Sequence, residues 1–190
     1  SFEVRFPRYL LPLHPLLLLA AARLLAPPDA GRDGWRPARR LVLGLSGAYL
    51  LAFLSIATRP HSAVSASAWF HENAAPGATV LVPDWEEGFP LSLPGRSVDR
   101  FRVVNLSLYE PDGEGKTRLL AERLAAGDLL VLPTKRHYGA ITQARDRFPD
   151  TDRLFRLLFS GDLGWTLERT FSSPPQLLGL RLPTELADES

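Results

Sequence analysis

Residues 41–58 read LVLGLSGAYLLAFLSIAT, an uncharged apolar run between Arg39-Arg40 and Arg59-Pro60. A helix of this length extends about 27 Å, close to the roughly 30 Å hydrocarbon core of a bilayer. A helix also satisfies its own backbone hydrogen bonds where water is absent. The alternative is the core helix of a soluble protein, which usually has a polar face that this run lacks. The run therefore predicts a membrane-spanning helix.

A second apolar run, YLLPLHPLLLLAAARLLA, lies just before it at residues 9–26. Proline removes a backbone donor, so we expect a helix that kinks or begins near Pro15. A hydrophobic span follows at once, which favours a second membrane helix over a signal peptide or an amphipathic surface segment. His14 lies between two prolines in this run, where a structural and a functional role are equally compatible with the sequence.

Charge is distributed unevenly along the chain. Residues 1–59 hold eight arginines against three acidic residues, a net charge of +5, whereas residues 60–190 hold fourteen basic and eighteen acidic residues, a net charge of −4. Four of the arginines lie in the loop 26–40, and short arginine-rich loops stay cytoplasmic. We therefore expect a membrane domain at 1–59 and an extracytoplasmic domain at 60–190. The acidic second part argues against nucleic acid as a partner.

After residue 60, short β-branched runs alternate with amphipathic stretches. This alternation predicts an α/β domain of three layers with a mainly parallel sheet, so the predicted fold is two transmembrane helices followed by a soluble α/β domain. The predicted helices are 62–73, 116–126 and 149–159, the last capped by Asp150 and Thr151. The inward residues of the first are Val64, Ala68 and either Phe70 or Trp69. The predicted strands are 78–82, 102–106 and 128–132, with a terminal strand pair at 165–171 and 177–182.

Two polar clusters follow predicted strands, at residues 84–87 and 135–138. In an open parallel sheet, ligands bind beyond the carboxyl ends of the strands. Cationic and aromatic side chains there suit a phosphate or a sugar. These considerations predict a ligand surface whose members are Trp85, Lys135, Arg136 and Tyr138. The alternative is a solvated rim of charged residues.

Other motifs indicate no metal, cofactor or nucleophile. The chain has no cysteine, and His61 and His71 are too far apart in sequence for a usual ligand pair. Residues 113–117, GEGKT, end like a phosphate-binding loop, but Glu110 occupies the position that needs the first glycine. We interpret them as a turn and the start of a helix.

Longer stretches resemble the C-terminal part of bacterial membrane glycosyltransferases of the GT-C type. The family includes enzymes similar to dolichyl-phosphate-mannose protein mannosyltransferases and the lipid A aminoarabinose transferase. The resembling stretches are RYLLPLHPLLLLAAA at 8–22, SASAWFHENAAPGATVLVPDWEEGFPL at 65–91, LYEPDGEGK at 108–116, DLLVLPTKRHYGAI at 128–141, FPDTDRLFRLLFSGDLGW at 148–165 and ADES at 187–190. Glu86 and Glu87 stand where relatives commonly carry aspartates.

The resemblance implies an integral protein of the bacterial plasma (inner) membrane that moves a sugar from a polyprenyl-phosphate carrier to an acceptor at the outer face. Its partners would be membrane lipid, the lipid-linked donor and an acceptor. Family members carry their catalytic acids in an early outer loop, so no residue of this chain inherits a catalytic role. We expect this chain, which opens at Ser1, to be a piece of a longer protein, and we add Arg8 to the ligand surface as a contact for carrier phosphate.

Two other functions fit the sequence. One is a membrane-anchored extracytoplasmic binding or sensor domain without catalysis, and the other is a structural subunit of an envelope assembly. Further hydrophobic spans and an early outer loop with paired acidic residues would favour the enzyme.

Overall fold

A computed structural model describes residues 12–25, 36–84 and 88–182. The chain forms two compact units. The first, which we call the α2 unit, holds the described residues up to Thr58 and those from Pro174 onward. The second, the α/β unit, holds the described residues from Arg59 to Ser173. The segment after residue 174, predicted as part of the outer domain, thus clusters with the first apolar helices.

Six α-helices and five short strands are described. The helices are α1 His14–Leu25, α2 Arg36–Leu54, α3 Ser62–Asn73, α4 Glu114–Ala126, α5 Arg136–Gln143 and α6 Pro149–Ser160. The strands are β1 Thr79–Pro83, β2 Arg102–Leu106, β3 Leu129–Leu130, β4 Gln176–Leu177 and β5 Leu180–Arg181. A short 3₁₀ helix, Val98–Arg100, precedes β2.

Helix α2 starts earlier and ends earlier than the apolar run 41–58. Its first turn includes Pro37, whose fixed φ suits a helix start, and residues 55–58 form turns. In the described ranges, Pro37–Leu54 is the one helix long and apolar enough to cross a membrane. Helix α1 has 12 residues and extends about 18 Å, which is shorter than a hydrocarbon core. The second predicted span therefore stays a prediction.

The α2 unit turns its apolar side chains outward. Ala52 is fully buried, and the large apolar residues of α2 are exposed. Those exposed residues are Leu41, Val42, Leu43, Leu45, Tyr49, Leu50, Leu51, Phe53 and Leu54. Beyond the helix, Ser55 Oγ donates to the carbonyl of Ala52 at 2.6 Å and accepts from the backbone N–H of Gln176 at 2.9 Å. This bond ties the β4–β5 hairpin to the end of α2.

The predicted terminal strand pair is wrong in its extent. Residues 165–171 are irregular, and the hairpin is β4 with β5, paired antiparallel with Gln176 opposite Arg181. Leu178 and Gly179 both have positive φ and form the two-residue turn. The sequence reasoning missed this turn because a leucine is rare at such a position.

The α/β unit is built on a three-stranded parallel sheet in the order β2-β1-β3. Val80 pairs with Val103 on one side and with Leu129 on the other, so β1 lies in the centre. Both pairings are parallel, so the predicted parallel sheet is confirmed. The predicted buried strand 128–132 is shorter than expected and half-buried, because β3 is an edge strand with neighbours on one side.

Helices cover both faces of this sheet. Val80 and Val82 contribute to a cluster with Phe70 of α3, and Leu81 contributes to a second cluster with Leu120 of α4. Alternation along β1 accounts for this, since successive side chains point to opposite faces. Phe155 of α6 and Ile141 of α5 complete the second cluster.

Helix α3 has the predicted bounds, and Phe70 is buried as predicted. The prediction is wrong for Val64, which is 37% exposed, and the helix buries Ser67 and His71 as well. Ser67 Oγ accepts from the backbone N–H of Leu91 at 2.8 Å, and His71 Nε2 lies 3.0 Å from the Leu91 carbonyl. These polar side chains pair with the backbone N–H and carbonyl of the half-buried Leu91, which are outside any helix or strand.

Candidate functional site

The predicted ligand surface lies where β1 and β3 end, and the structure describes part of it. Arg8 and Trp85, with Glu86 and Glu87, lie outside the described residues. Lys135, Arg136 and Tyr138 are described, at the start of α5. The carboxyl edge of the sheet can therefore be built from Asp84, the segment after β2 and the first turn of α5.

His137 joins the loops that follow β1 and β3. Its side chain is 1% exposed, and its Nε2 lies 2.9 Å from the backbone carbonyl of Asp84. A carbonyl can only accept, so Nε2 carries a proton and donates this bond. The prediction that these two segments share one edge agrees with this contact. His137 is the residue that makes the contact, although the sequence reasoning named its neighbours.

Tyr109, which follows β2, brings the third strand end to the same place. Its ring packs on His137 with centroids 4.9 Å apart, and its hydroxyl donates to the backbone carbonyl of Arg136 at 3.1 Å. The ends of β1, β2 and β3 are thus held together by one buried imidazole and one phenol. Sequence alone gave no signal for Tyr109, because the loop length after β2 does not reveal where its ring lies.

Lys135 and Arg136 are the exposed cationic members of this edge. Lys135 is the N-cap of α5, and Arg136 is its first residue. The backbone N–H of Arg136 contacts Thr134 Oγ1 at 3.3 Å. A helix N-terminus carries a partial positive charge that adds to these two side chains. The resulting field favours an anion, and phosphate oxygens are well matched to an arginine fork.

Tyr138 packs away from this edge. Its ring makes edge-to-face contacts with Phe155, at 6.1 Å between centroids, and Phe159, at 5.2 Å. It is half-buried against the cluster formed by α4, α5 and α6. Tyr138 thus contributes to packing α5 on α6, and Lys135 and Arg136 are the described part of the ligand surface that faces solvent.

A second polar cluster, Asp112 with Lys116 and Thr151, is structural. Lys116 Nζ lies 2.8 Å from Asp112 Oδ1 and 2.7 Å from Thr151 Oγ1. It also donates to the carbonyls of Leu108 and Glu110, at 2.8 and 2.7 Å. Both charged side chains are more than nine-tenths buried. Four acceptors surround the three protons of this ammonium group, so the lysine of the GEGKT segment anchors a turn and has no proton left for a phosphate.

Asp112 also supplies the cap of α6. Its Oδ2 accepts from the backbone N–H groups of Asp150 and Thr151, at 2.7 and 3.0 Å, while Phe148 at the N-cap position offers no side-chain bond. The prediction that Asp150 and Thr151 cap the helix with their own side chains is therefore wrong. Burial raises the pKa of Asp112, but bonds from Lys116 and Thr151 outweigh it and leave that pKa below its ordinary value.

Cavities lie elsewhere on the α/β unit. One of about 600 Å³ opens at the amino edge of the sheet, beside Trp69, Asp128 and Glu168. Another of about 310 Å³ is a mainly apolar groove between α4 and α6, with Trp165 at one end. Ligands of parallel sheets usually bind at the carboxyl edge, so the larger cavity lies at the edge where the sequence predicted no site.

Within the described ranges, no group of three or more histidine and acidic side chains is arranged to hold a metal ion. Comparison of the chain with protein-family models, curated proteins and solved structures finds no match. The features of the chain that bear on function are the cations at the carboxyl edge of the sheet and the exposed apolar side chains of α2.

Proposed function

We propose that this chain is the C-terminal part of an integral-membrane glycosyltransferase of the GT-C type. The enzyme would move a sugar from a polyprenyl-phosphate carrier to an acceptor at the outer face of the membrane. The α/β unit would be extracytoplasmic, and the catalytic acidic residues would lie in a preceding part of the protein. The resemblance of residues 8–22, 65–91 and 128–141 to that family motivates the proposal.

Helix α2 is the observation that carries the proposal. Its window Pro37–Leu54 is long enough for a bilayer, and its leucines and aromatics are exposed. Exposing this much apolar area to water is unfavourable by about 25 cal/mol per Å², so the helix needs an apolar surrounding. Lipid and neighbouring membrane helices supply one. Helix α1, which begins at His14 with Pro15 in its first turn, would be the preceding helix of the same bundle.

The carboxyl edge of the sheet supports the ligand part of the proposal. A carrier pyrophosphate or phosphate is an anion at the membrane surface, and Lys135 and Arg136 present two cations at a helix N-terminus. His137 and Tyr109 hold the first turn of α5 against the ends of β1 and β2, so the backbone that carries the two cations is fixed in position. We assign them to binding of the donor phosphate, with no part in the chemical step.

A second candidate is a membrane-anchored binding domain without catalysis. The groove between α4 and α6 favours it, because a concave apolar surface with one tryptophan is a common form of binding site. The two candidates differ in where mutations act. Changes at Lys135 and Arg136 would affect a transferase, while changes at Trp165 would affect a groove-binding domain.

Substitution of Arg136 in the complete protein tests the proposal. In proteoliposomes with a polyprenyl-phosphate-linked sugar donor, Arg136→Ala should raise KM for the donor about tenfold, since a charge-assisted bond to phosphate is lost. Arg145→Ala is the matched control, because Arg145 is also exposed and follows the other end of α5. Equal KM values for the two variants, or no transfer by the wild type, would contradict the proposal.

A further inference from the structure

The β4–β5 hairpin in the α2 unit ends in a strained apolar turn. Its two central residues, Leu178 and Gly179, have φ values of 51° and 84°. Two-residue hairpin turns of this kind strongly favour asparagine, aspartate or glycine at both positions, because a β-carbon clashes with the backbone there. A branched leucine at the first position is conformationally unfavourable.

The same leucine gains nothing by burial within the described structure. Leu178 is 96% exposed and Leu180, which follows the turn, is 73% exposed. Single exposed leucines are common on protein surfaces, but here two of them lie at and beside a turn with positive φ at a leucine. Strain that persists without an internal contact points to a function outside the unit.

The position of the hairpin identifies what covers these leucines. The backbone N–H of Gln176 donates to Ser55 Oγ at 2.9 Å, and Ser55 is the first residue after α2. The hairpin is therefore fixed at the end of the membrane-length helix, at the level where lipid headgroups meet acyl chains if α2 spans a bilayer. Arg181 is exposed on β5, and an arginine stem can reach lipid phosphates from that level.

We propose that the β4–β5 hairpin inserts Leu178 and Leu180 into the outer-leaflet interface of the membrane. The occupant of this surface is lipid, and the hairpin is a second membrane contact beside α2. This inference rests on the membrane placement of α2 in the proposed function. The chain would then contact the bilayer twice, through α2 before the α/β unit in sequence and through the hairpin after it.

Depth-dependent quenching tests the insertion. The chain has no cysteine, so single substitutions Leu178→Cys, Leu180→Cys, Leu45→Cys and Leu167→Cys can each carry a polarity-sensitive fluorophore in proteoliposomes. Lipids brominated near the headgroup should quench the two hairpin positions about twofold more than lipids brominated near the bilayer centre. Leu45, in the middle of α2, should show the opposite order. Leu167, an 85% exposed leucine of the α/β unit, is the matched control and should be quenched by neither.

The outcomes separate this proposal from the one it rests on. Quenching at Leu45 with none at Leu178 and Leu180, or equal quenching at Leu178 and Leu167, would overturn hairpin insertion alone. No quenching at Leu45 would overturn the membrane placement of α2 and the hairpin proposal with it.

A variant adds a second readout. Leu178→Asn should stabilise the turn, because asparagine adopts positive φ more readily than leucine. It also removes the apolar side chain, so the quenching of a label at position 180 should fall. Unchanged quenching at Leu180 would show that Leu178 does not help to insert the hairpin.

Discussion

Leucine is used in opposite ways in the two units. Leu45 in α2 is 62% exposed, and eight other large apolar residues of that helix are exposed too. In the α/β unit, Leu81 on the central strand is fully buried between neighbouring strands and helix α4. The α/β unit builds its own apolar interior, whereas the large apolar side chains of α2 are left uncovered within the described residues.

Because of this contrast, we expect shortened apolar side chains to destabilise the α/β unit much more than α2. Packing inside the α/β unit depends on close fit, since removing a buried methyl group leaves a cavity. A shortened side chain on an outward-facing helix leaves no internal cavity, so it should cost little stability. Matched substitutions in the two regions can therefore test this expected difference in stability.

The widest test is sidedness. Cysteine at Gly113, the N-cap of α4, should react with a membrane-impermeant maleimide added outside intact cells, while cysteine at position 31 should not. The arginine-rich loop 26–40 predicts this orientation, because short loops rich in arginine stay cytoplasmic. Labelling at position 31 with protection at Gly113 would show that the topology is the reverse of the predicted one. Labelling at both positions would show that α2 does not cross a membrane.

Removing a core leucine should strongly destabilise the α/β unit and leave α2 unaffected. Leu81→Ala should lower the free energy of unfolding of the α/β unit by about 3 kcal/mol, because its side chain is fully enclosed. Leu45→Ala in α2 is the control and should leave that value unchanged. Hydrogen exchange at the β1 amides, in detergent or nanodiscs, measures the opening of the sheet directly. A comparable loss for both variants would remove the contrast between the units.

The buried Asp112–Lys116 pair should make the α/β unit sensitive to acid. The folded-state pKa of Asp112 lies below the unfolded value of 3.8, so its contribution is present above that value and is lost as the pH falls through the lower folded pKa. Asp112→Asn should destabilise the unit by about 3 kcal/mol at neutral pH, since Lys116 keeps a buried charge.

Guanidinium unfolding at several pH values measures this effect. The difference between wild type and Asp112→Asn should narrow as the pH falls below the ordinary range of aspartate. Asp146→Asn, at an exposed position after α5, is the control and should unfold like the wild type at neutral pH. A constant difference at every pH would refute the role given to the Asp112 carboxylate.

The smallest predicted effect concerns one glycine. A β-carbon at Gly127, between α4 and β3, would overlap the side chain of Leu81, so Gly127→Ala should cost about 1–3 kcal/mol. Gly115→Ala, in the first turn of α4, meets nothing within 4 Å and should be neutral or slightly stabilising. Denaturation midpoints of the two variants test how tightly β1 packs under α4.

Local sequence patterns predicted most elements of the α/β unit. Helix α3 and strand β2 have the predicted bounds, and β1 lies within one residue of its prediction at each end. These elements depend on periodicity and β-branched runs, which are local properties. Helix α5 was not predicted, because it is short and contains Gly139, and its packing on α6 stabilises it instead.

The candidate site was predicted only in outline. The order of strands and loops indicated that residues 84–87 and 135–138 meet at one edge, and the Asp84–His137 bond agrees with that. Which side chains face solvent was not predictable. Tyr138 and Arg136 differ by two positions on a helix, and the packing of α6 decides that the tyrosine faces inward.

The sequence by itself determined the types of most helices and strands of the α/β unit, the charge asymmetry and the apolar run 41–58, because these depend on neighbours in sequence. The tertiary structure alone decided that Asp112 caps a helix 38 residues away, that His137 joins two strand ends and that residues 176–181 return to the end of α2. Such contacts depend on which distant backbone groups are left without a partner, and that is known only once the helices and strands have been assembled.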